Sequence, residues 1–522
     1  MKESFSQSMD WLHTWAGLLF GWLLFAIFFT GTLSVFDQEI TRWMQPELHR
    51  VTPAPLDLDA ASRTLNQLAP HADRWVITLP YDRKPVGAIG WQHDGLSTLK
   101  AIDSRTGTVI PRRETRGGDF FFRFHYQLLL DQPGIWIVGV SAMAMLAVLV
   151  TGIVIHHRIF KDFFTFRPSA SFHRSWLDAH NVTGVLVFPF HVMITFTGLV
   201  IFWAIYMPAG IQTRYEGDMN AFWAEAELFF EREPANQPAP LVSLADLERE
   251  ARNHWKDGQT RSIVVEHPGD RHALVHMYRR SDDRLSLDSG RVTFDGAGGA
   301  LRAVWLNENP AYLTQSVLTG LHFVRFGGSP MRWLYFGMGL AASAMIATGL
   351  VLWVVKRQGR HAGADAVGYR LVEGLNVAAV AGLLVATATF FWANRLLLPD
   401  LEARDLWELR IFFAAWSLCL GHALLHEFLR DGASLKIWTT QLVLAALLFG
   451  LLPILNAFTT ESHLFVTLPQ GQWHLAAVDL TALMGGLVLG WTAWRLHHPV
   501  RTSARSCHTQ PVPSSSGSIG SS

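Results

Sequence analysis

The chain alternates long apolar runs with two long polar segments. Eight of the runs are each long enough to cross a bilayer as a helix, which takes about 20 residues. Charged residues or prolines interrupt the last four runs, so the sequence defines their ends less sharply. We therefore predict an α-helical integral membrane protein with about eight spans, at residues 11–36, 134–156, 184–207, 331–355, 374–394, 406–428, 437–458 and 474–496.

The two polar segments, 37–119 and 208–317, contain predicted helices and strands in the same order. Each has a stretch of helical periodicity, followed by short runs typical of strands. The tail, 497–522, becomes rich in serine and glycine, which predicts disorder. We predict two small α+β domains, with helices at 58–69 and 244–254 and strands at 75–79, 86–91, 99–102, 109–110, 263–266, 273–278 and 292–294.

Composition narrows the function classes. Half of the 522 residues are hydrophobic, 16% are charged and the net charge is zero, so nothing indicates a nucleic-acid partner. The two cysteines, Cys419 and Cys507, cannot form a disulfide framework or a cysteine-ligated cluster. No Gly-x-Gly-x-x-Gly motif follows a strand and there is no Walker loop, so we expect no NAD, FAD or ATP site of a familiar fold.

Lysines and arginines in the short loops predict the orientation, because loops rich in these residues stay in the cytoplasm. Loops 157–183 and 356–373 each carry four of them. The first apolar run is too long for the core of a signal peptide and lacks a clear cleavage site. We predict a multi-pass membrane protein with both termini in the cytoplasm and both polar segments facing the periplasm or exterior.

Histidines recur at fixed spacing in two ungapped repeats, which indicates an internal duplication. Because each copy contains two spans, the copies enter the membrane in the same direction and are related by an axis along its normal. Such an axis places His13 level with His180 near the cytoplasmic face, and His125 level with His322 near the outer face. The matched patterns are His13-x3-Gly17-x12-Thr30-Gly31 with His180-x3-Gly184-x12-Thr197-Gly198, and His125-x7-Pro133-x2-Trp136-x14-Thr151-Gly152 with His322-x7-Pro330-x2-Trp333-x14-Thr348-Gly349.

Paired imidazoles are suited to iron, because imidazole is a standard iron ligand inside helical bundles. A planar macrocycle with two axial imidazoles needs the facing geometry that the pseudo-twofold axis supplies. Gly17 and Gly184 follow their histidines by one turn, where a missing Cβ lets a flat cofactor or another helix approach. We expect the Thr-Gly pairs to serve helix packing in the same way. The alternative is that the histidines cap helices or lie at the headgroups, but four matched positions favour ligands.

Other histidines are weaker candidates. His191 lies 11 residues after His180 in the predicted third span, which puts the two on nearly the same helical face. It is either a ligand of a second cofactor or a bridge between the two histidine sites, or it is a neutral histidine bonded to a neighbouring helix. His156 and His157 end the second span, and Arg158 is placed to pair with a haem propionate. For these three residues, we favour the interpretation that their side chains only lie at the membrane interface, without binding a cofactor.

His422 and His426 are four residues apart in the sixth span, which puts both on one helix face where a metal can bind. The pattern is not His-Glu-x-x-His, so it does not indicate a zinc hydrolase. Two interfacial histidines are the alternative interpretation.

Several of these motifs together resemble the PepSY-associated transmembrane family, over about residues 1–357. The resemblance implies PepSY-like periplasmic domains and a four-span core that holds two b-type haems on His13, His125, His180 and His322. It further implies electrons passing from a membrane quinol or a protein donor to a periplasmic ferric siderophore or other ferric chelate, whose reduction releases iron. The motifs are Trp11-Leu12-His13-x3-Gly17, Thr30-Gly31, Leu321-His322-Phe323 and Gly327-Gly328.

Two other functions stay open at the level of sequence. The first is a PepSY-domain membrane protein that binds or regulates a partner without redox chemistry. The second is a metal-chelate permease with His422 and His426 in its path. A haem absorbance spectrum separates both from a haem-dependent ferric reductase.

Overall fold

Long helices dominate the computed structural model, which describes residues 2–155, 172–226, 232–255, 258–288, 290–306, 309–357, 366–429 and 434–498. Within these residues, seven helices are long and apolar enough to cross a membrane, and one bent helix pair makes an eighth span. The protein is therefore a multi-pass helical membrane protein in contact with lipid. Residues 499–522 of the predicted tail, with Cys507, lie outside the described residues.

The eight spans follow the predicted order. We number them along the chain: span 1 is Lys2–Ser34, span 2 is Gln132–Ile155, span 3 is Phe172–Leu186 with Phe188–Ile201, span 4 is Gly328–Val355, span 5 is Ala366–Val377 and Leu383–Leu396 joined by a π-helical turn at Ala378–Gly382, span 6 is Arg404–Leu429, span 7 is Ser434–Thr459 and span 8 is Trp473–His497. Short helices precede spans 2 and 4, at Asp119–Gln127 and Pro310–Phe323.

Span 3 is not the single helix predicted at 184–207. Its two helices meet at an angle of 63°. The second helix begins at Phe188, and Pro189 lies in its first turn. Proline has no N–H to donate to the carbonyl four residues earlier and its ring crowds that carbonyl, so the helix breaks here. His180 and His191 therefore lie on two different helices, which corrects the expectation that they share one helical face.

The two polar segments form one sheet, not two separate domains. Four strands of the first segment and four of the second make an eight-stranded antiparallel sheet in the order β4-β3-β2-β1-β5-β6-β7-β8. The contact between the segments runs from Arg74 paired with Glu266 to Thr78 paired with Ser262. The strands are β1 Arg74–Thr78, β2 Gly87–His93, β3 Leu96–Ile102, β4 Val109–Ile110, β5 Thr260–Glu266, β6 Leu274–Arg279, β7 Arg291–Asp295 and β8 Leu301–Trp305.

A shared core explains why the two segments join. The helices Leu58–Leu68 and Leu244–His254 belong to one hydrophobic cluster with the inward side chains of the sheet. Ile77 of β1 and Ile263 of β5 are both fully buried in this cluster. Joining β1 to β5 pairs two strand edges that would otherwise expose unsatisfied N–H and C=O groups. The last strand, β8, was not predicted.

Spans 5 to 8 pack against the helices of the first half of the chain. Phe120 and Phe121 of the helix before span 2 are fully buried against Phe390 and Phe412 of spans 5 and 6. Spans 7 and 8 approach closely, since a Cβ on Gly486 would lie 2.6 Å from the backbone nitrogen of Gly450. Smaller helices complete the chain at Asp37–Trp43, Pro46–Leu48, Trp203–Tyr206, Ala209–Tyr215, Met219–Ala226 and Leu464–Thr467.

Candidate functional site

The structure brings His13 and His180 together on one side of the helical region. Their ring centres are 6.4 Å apart, with planes at 78°. The Nδ1 of His13 lies 3.0 Å from the carbonyl oxygen of Val148 and 3.2 Å from Oγ1 of Thr151. The second histidine has matching contacts on span 4, with its Nδ1 2.9 Å from the carbonyl oxygen of Met345 and 3.3 Å from Oγ1 of Thr348.

His125 and His322 form a second pair, on the side of the membrane where the β-sheet lies. We call this the sheet side. The two ring centres are 6.0 Å apart and the planes are inclined by 28°. The Nδ1–H of His125 donates to the carbonyl of Ile27 at 2.8 Å. The Nδ1 of His322 lies 3.1 Å from Oγ1 of Thr197, whose own hydroxyl donates to the Met193 carbonyl at 2.7 Å.

These contacts decide which ring nitrogen is available to a ligand. A carbonyl oxygen only accepts, so it requires a proton on the Nδ1 that contacts it. Likewise, a hydroxyl that donates elsewhere offers a lone pair to Nδ1–H. The lone pair of each imidazole is therefore on Nε2. An imidazole whose other nitrogen is held by a backbone carbonyl or hydroxyl is the usual form of a metal-ligating histidine.

Electrostatics on the sheet side also favour neutral rings. Burial lowers the pKa of His125. Burial, with a smaller contribution from His125, lowers the pKa of His322 to about 3. Both residues are on the short helices that precede spans 2 and 4. Neutral imidazole is the form that binds metals.

Glycines leave space for each ring. A Cβ on Gly152 would lie 3.3 Å from Cε1 of His13, and a Cβ on Gly349 would lie 3.1 Å from Cε1 of His180. On the sheet side, a Cβ on Gly31 would lie 2.6 Å from Nδ1 of His125, and one on Gly198 would lie 3.0 Å from Cε1 of His322. The repeated Thr-Gly pairs thus seat the histidines, where the sequence had suggested helix packing alone. The seats are Thr30-Gly31, Thr151-Gly152, Thr197-Gly198 and Thr348-Gly349.

An apolar cavity of about 380 Å³ surrounds the sheet-side pair. Its wall includes both histidines, Gly31 and Gly198, and is otherwise mostly aliphatic and aromatic. Cavities of about 300–1,000 Å³ with a few convergent polar groups are typical of small-molecule and cofactor sites.

The spacing within each pair suits one metal ion between two rings. Metal–imidazole bonds of about 2.0–2.1 Å, with the ring centre about 1.1 Å behind the nitrogen, would separate two imidazole centres on opposite sides of a metal by about 6.3 Å. The two observed separations are 6.4 and 6.0 Å. A group that takes two axial imidazoles is therefore compatible with either pair.

His191 is fully buried beside Phe28, with ring centres 6.3 Å apart. Neither of its ring nitrogens makes a hydrogen bond of normal geometry within the described residues. One turn later, the Oγ1 of Thr195 is also without a partner there, and Thr195 lines the sheet-side cavity. His191 thus lies next to the cavity, in ring contact with Phe28 of its wall.

The remaining predicted residues are placed as follows. His156, His157 and Arg158 lie outside the described residues. A Cβ on Gly17 would meet nothing within 4 Å, whereas one on Gly184 would contact Sδ of Met345 at 3.5 Å. Gly184 therefore supports close packing of spans 3 and 4.

His422 and His426 have adjacent rings, with centres 4.7 Å apart. The Nδ1 of His422 lies 3.4 Å from the amide nitrogen of Gln441 on span 7. No group of three or more histidine, cysteine, aspartate or glutamate side chains that could hold a metal is present in the part of the chain that the structure describes. The pair therefore lacks further protein ligands of these types there.

A second cavity, of about 450 Å³, was not predicted. Five arginines line it, and we call it the arginine pocket: Arg83, Arg261, Arg280, Arg325 and Arg332. Two of them come from the beginning of span 4 and its preceding turn, and three from the sheet and its connections. In the sequence, the local indication of this pocket is that Arg325 follows His322 by three residues. The convergence of the other arginines depends on the sheet docking over the spans.

Comparison with known proteins gives a family and one relative. A family model described as the PepSY-associated TM region matches residues 11–356. An uncharacterised protein of Pseudomonas aeruginosa is 24% identical over 396 residues, which covers 72% of this chain and 94% of the relative. The matched region of the family model contains all four paired histidines.

Proposed function

The chain belongs to the PepSY-associated transmembrane family, and from this premise we propose that it is a transmembrane di-haem b oxidoreductase. It would pass electrons across the bacterial inner membrane to a periplasmic ferric siderophore or other ferric chelate, and so act as a ferric reductase in iron uptake. The observation that supports this proposal is the presence of two histidine pairs with the spacing of axial ligands.

His13 and His180 would hold one haem, and His125 and His322 the other. When bound, the haem iron would supply reversible one-electron transfer through its ferric and ferrous forms. The protein contributes orientation, because each Nδ1 is held by a carbonyl or hydroxyl and each Thr-Gly seat admits its ring. Around the sheet-side pair, the apolar wall excludes water and favours a hydrophobic macrocycle.

The two pairs lie near opposite ends of the same spans, as electron transfer across a membrane requires. His13 and Gly31 are both on span 1, and His125 packs against Gly31. Eighteen residues of α-helix correspond to about 27 Å, close to the hydrocarbon thickness of a bilayer. His191 and Phe28 lie beside the sheet-side cavity. The donor would be a quinol or a protein on the side of His13, and the acceptor would bind on the sheet side.

The reduced-minus-oxidised absorbance spectrum of the purified protein tests this proposal. We expect the α-band of b-type haem and two haems per chain. His13→Ala or His180→Ala should remove one haem, and His125→Ala or His322→Ala the other. His422→Ala is the matched control, since it removes a half-buried membrane histidine and should keep both haems. A colourless preparation from haem-replete cells, or two haems in all four variants, would overturn the proposal.

A further inference from the structure

The arginine pocket lies between the sheet and the sheet-side end of the spans. Arg83 is in the connection between β1 and β2, Arg261 is on β5 and Arg280 follows β6. Arg325 precedes span 4, and Arg332 is in its second turn. Elements of both polar segments and of the membrane region are therefore needed to form this pocket.

Only some of the arginines have carboxylate partners. Arg83 donates to Glu39 at 2.7 and 2.8 Å and lies 3.2 Å from Asp37, and Arg280 pairs with Asp282. The other three, Arg261, Arg325 and Arg332, form no ion pair with any carboxylate among the described residues.

Arg332 is the most informative of the three. Its side chain is only 6% exposed, and its Nε has no hydrogen-bond partner among the described residues. A buried guanidinium without a carboxylate partner is costly unless a ligand supplies the negative charge. Burial lowers the pKa of Arg325, and the nearby charge of Arg261 lowers it further.

The pocket adjoins the sheet-side histidine pair. The ring of Phe323 contacts His322, with centres 6.1 Å apart, and the guanidinium carbon of Arg325 lies 5.3 Å from the centre of the same Phe323 ring. Arg83 also donates to the carbonyl of Val35 at 3.1 Å, and Val35 lines the cavity around the pair. An anion held by Arg325 would thus be separated from His322 by a single aromatic ring.

We propose that Arg261, Arg325 and Arg332 bind an anionic ferric chelate, in which carboxylate or catecholate oxygens give the complex a net negative charge. This inference rests on the proposed function and specifies its substrate class. Guanidinium groups recognise such oxygens by charge-assisted hydrogen bonds.

The electrons for the reduction come from the membrane donor. One electron reduces Fe(III) to Fe(II) in the bound chelate. A quinol donor gives two electrons and releases two protons as it is oxidised to quinone, so it reduces two chelates in succession. The positive charge of the pocket disfavours cationic chelates, and a neutral chelate lacks the net attraction that an anionic one gains.

Gallium(III) citrate tests the pocket without redox chemistry, because Ga(III) resembles Fe(III) in charge and size and is not reduced. Binding of radioactive gallium citrate to the full-length protein in phosphatidylcholine nanodiscs is measured by equilibrium dialysis. We expect saturable binding that Arg332→Gln or Arg325→Gln weakens about tenfold or more. Arg332→Lys, which keeps the charge, should recover part of the loss. A neutral gallium trihydroxamate should bind the unmodified protein no more tightly than gallium citrate binds the Gln variants.

Arg63→Gln is the matched control, because Arg63 is an exposed arginine on the helix Leu58–Leu68. It should bind gallium citrate like the unmodified protein. Absence of saturable binding, or equal affinity in the Arg332→Gln and Arg63→Gln proteins, would overturn the proposal. Haem content is measured separately on the same samples. Two haems without gallium binding would refute the pocket alone, and gallium binding by a colourless protein would refute the proposed electron transfer.

Discussion

At the scale of single residues, the histidine seats are the most informative feature. His13 and His180 have the same pair of contacts at equivalent positions of spans 2 and 4, a carbonyl and a threonine hydroxyl three residues later. A ring that only capped a helix or faced the headgroups would not need a glycine beside it in a neighbouring helix. The seats therefore favour a role that depends on ring orientation.

Gly31→Ala tests a seat directly. The new Cβ would lie 2.6 Å from Nδ1 of His125, so the ring must move. We expect the variant to lose about half of the haem absorbance per chain, because one of two proposed sites would be disturbed. Absorbance at the haem bands, normalised to protein, measures this effect.

Gly337→Ala is the control for this substitution, since a Cβ at Gly337 meets nothing within 4 Å and Gly337 is exposed. Gly337 lies on span 4 and is not one of the glycines that seat the histidines, and the substitution adds the same methyl group. Full haem content in the Gly31→Ala protein, with an unshifted α-band, would contradict the role of the seat.

At the scale of elements, the joined sheet has consequences for stability. β1 ends at Thr78 and β5 begins at Thr260, yet the two strands pair along five residues and share a core. Neither segment's core is complete alone, because the helices Leu58–Leu68 and Leu244–His254 pack in one cluster. We therefore expect the two segments to unfold together.

Ile263→Ala should weaken both halves of the sheet. Ile263 is fully buried in the shared core, and truncation of such a side chain costs about 2–5 kcal/mol. Amide hydrogen exchange should accelerate in β1–β3 as well as in β5–β7. Leu99→Ala is the control, because Leu99 is 52% exposed on β3 and should change stability by less than about 0.5 kcal/mol. Faster exchange confined to β5–β8 would show instead that the segments are independent.

At the scale of the whole molecule, a buried polar network ties spans 5 to 8 to the first half of the chain. Glu408 of span 6 accepts hydrogen bonds from Asn394, from Arg404 and from Thr115 of the first polar segment, each at 2.7 Å. Farther along, the indole N–H of Trp43 donates to Asp479 of span 8 at 3.0 Å. Spans 5 to 8 lie beyond the family match, so this network keeps an additional helical block in a defined position.

Glu408→Ala should destabilise that junction. It leaves Arg404, which is fully buried, without its charge partner, at a cost of about 3–5 kcal/mol. We expect a lower Tm for this variant, measured in detergent by scanning fluorimetry. The double variant Arg404→Met with Glu408→Met should recover part of the loss, because no buried charge then remains unpaired.

Glu402→Ala provides the comparison, since Glu402 is exposed and two residues before Arg404. Its Tm should match that of the unmodified protein. If Glu408→Ala and Glu402→Ala have equal Tm values, the network does not stabilise the junction.

Local patterns in the sequence were sufficient to locate the eight spans, seven of the eight strands and the histidines that form the two pairs. Apolar runs predict spans because a helix in lipid satisfies its own backbone, and the ungapped repeat predicts that His13 meets His180 and that His125 meets His322. What remained undetermined depends on contacts between distant parts of the chain. The bend at Pro189 separates His180 from His191, and the pairing of β1 with β5 merges two predicted domains. The arginine pocket forms only when the sheet brings Arg261 to the same cavity as Arg332, because burial and the convergence of charges depend on packing and not on any local pattern.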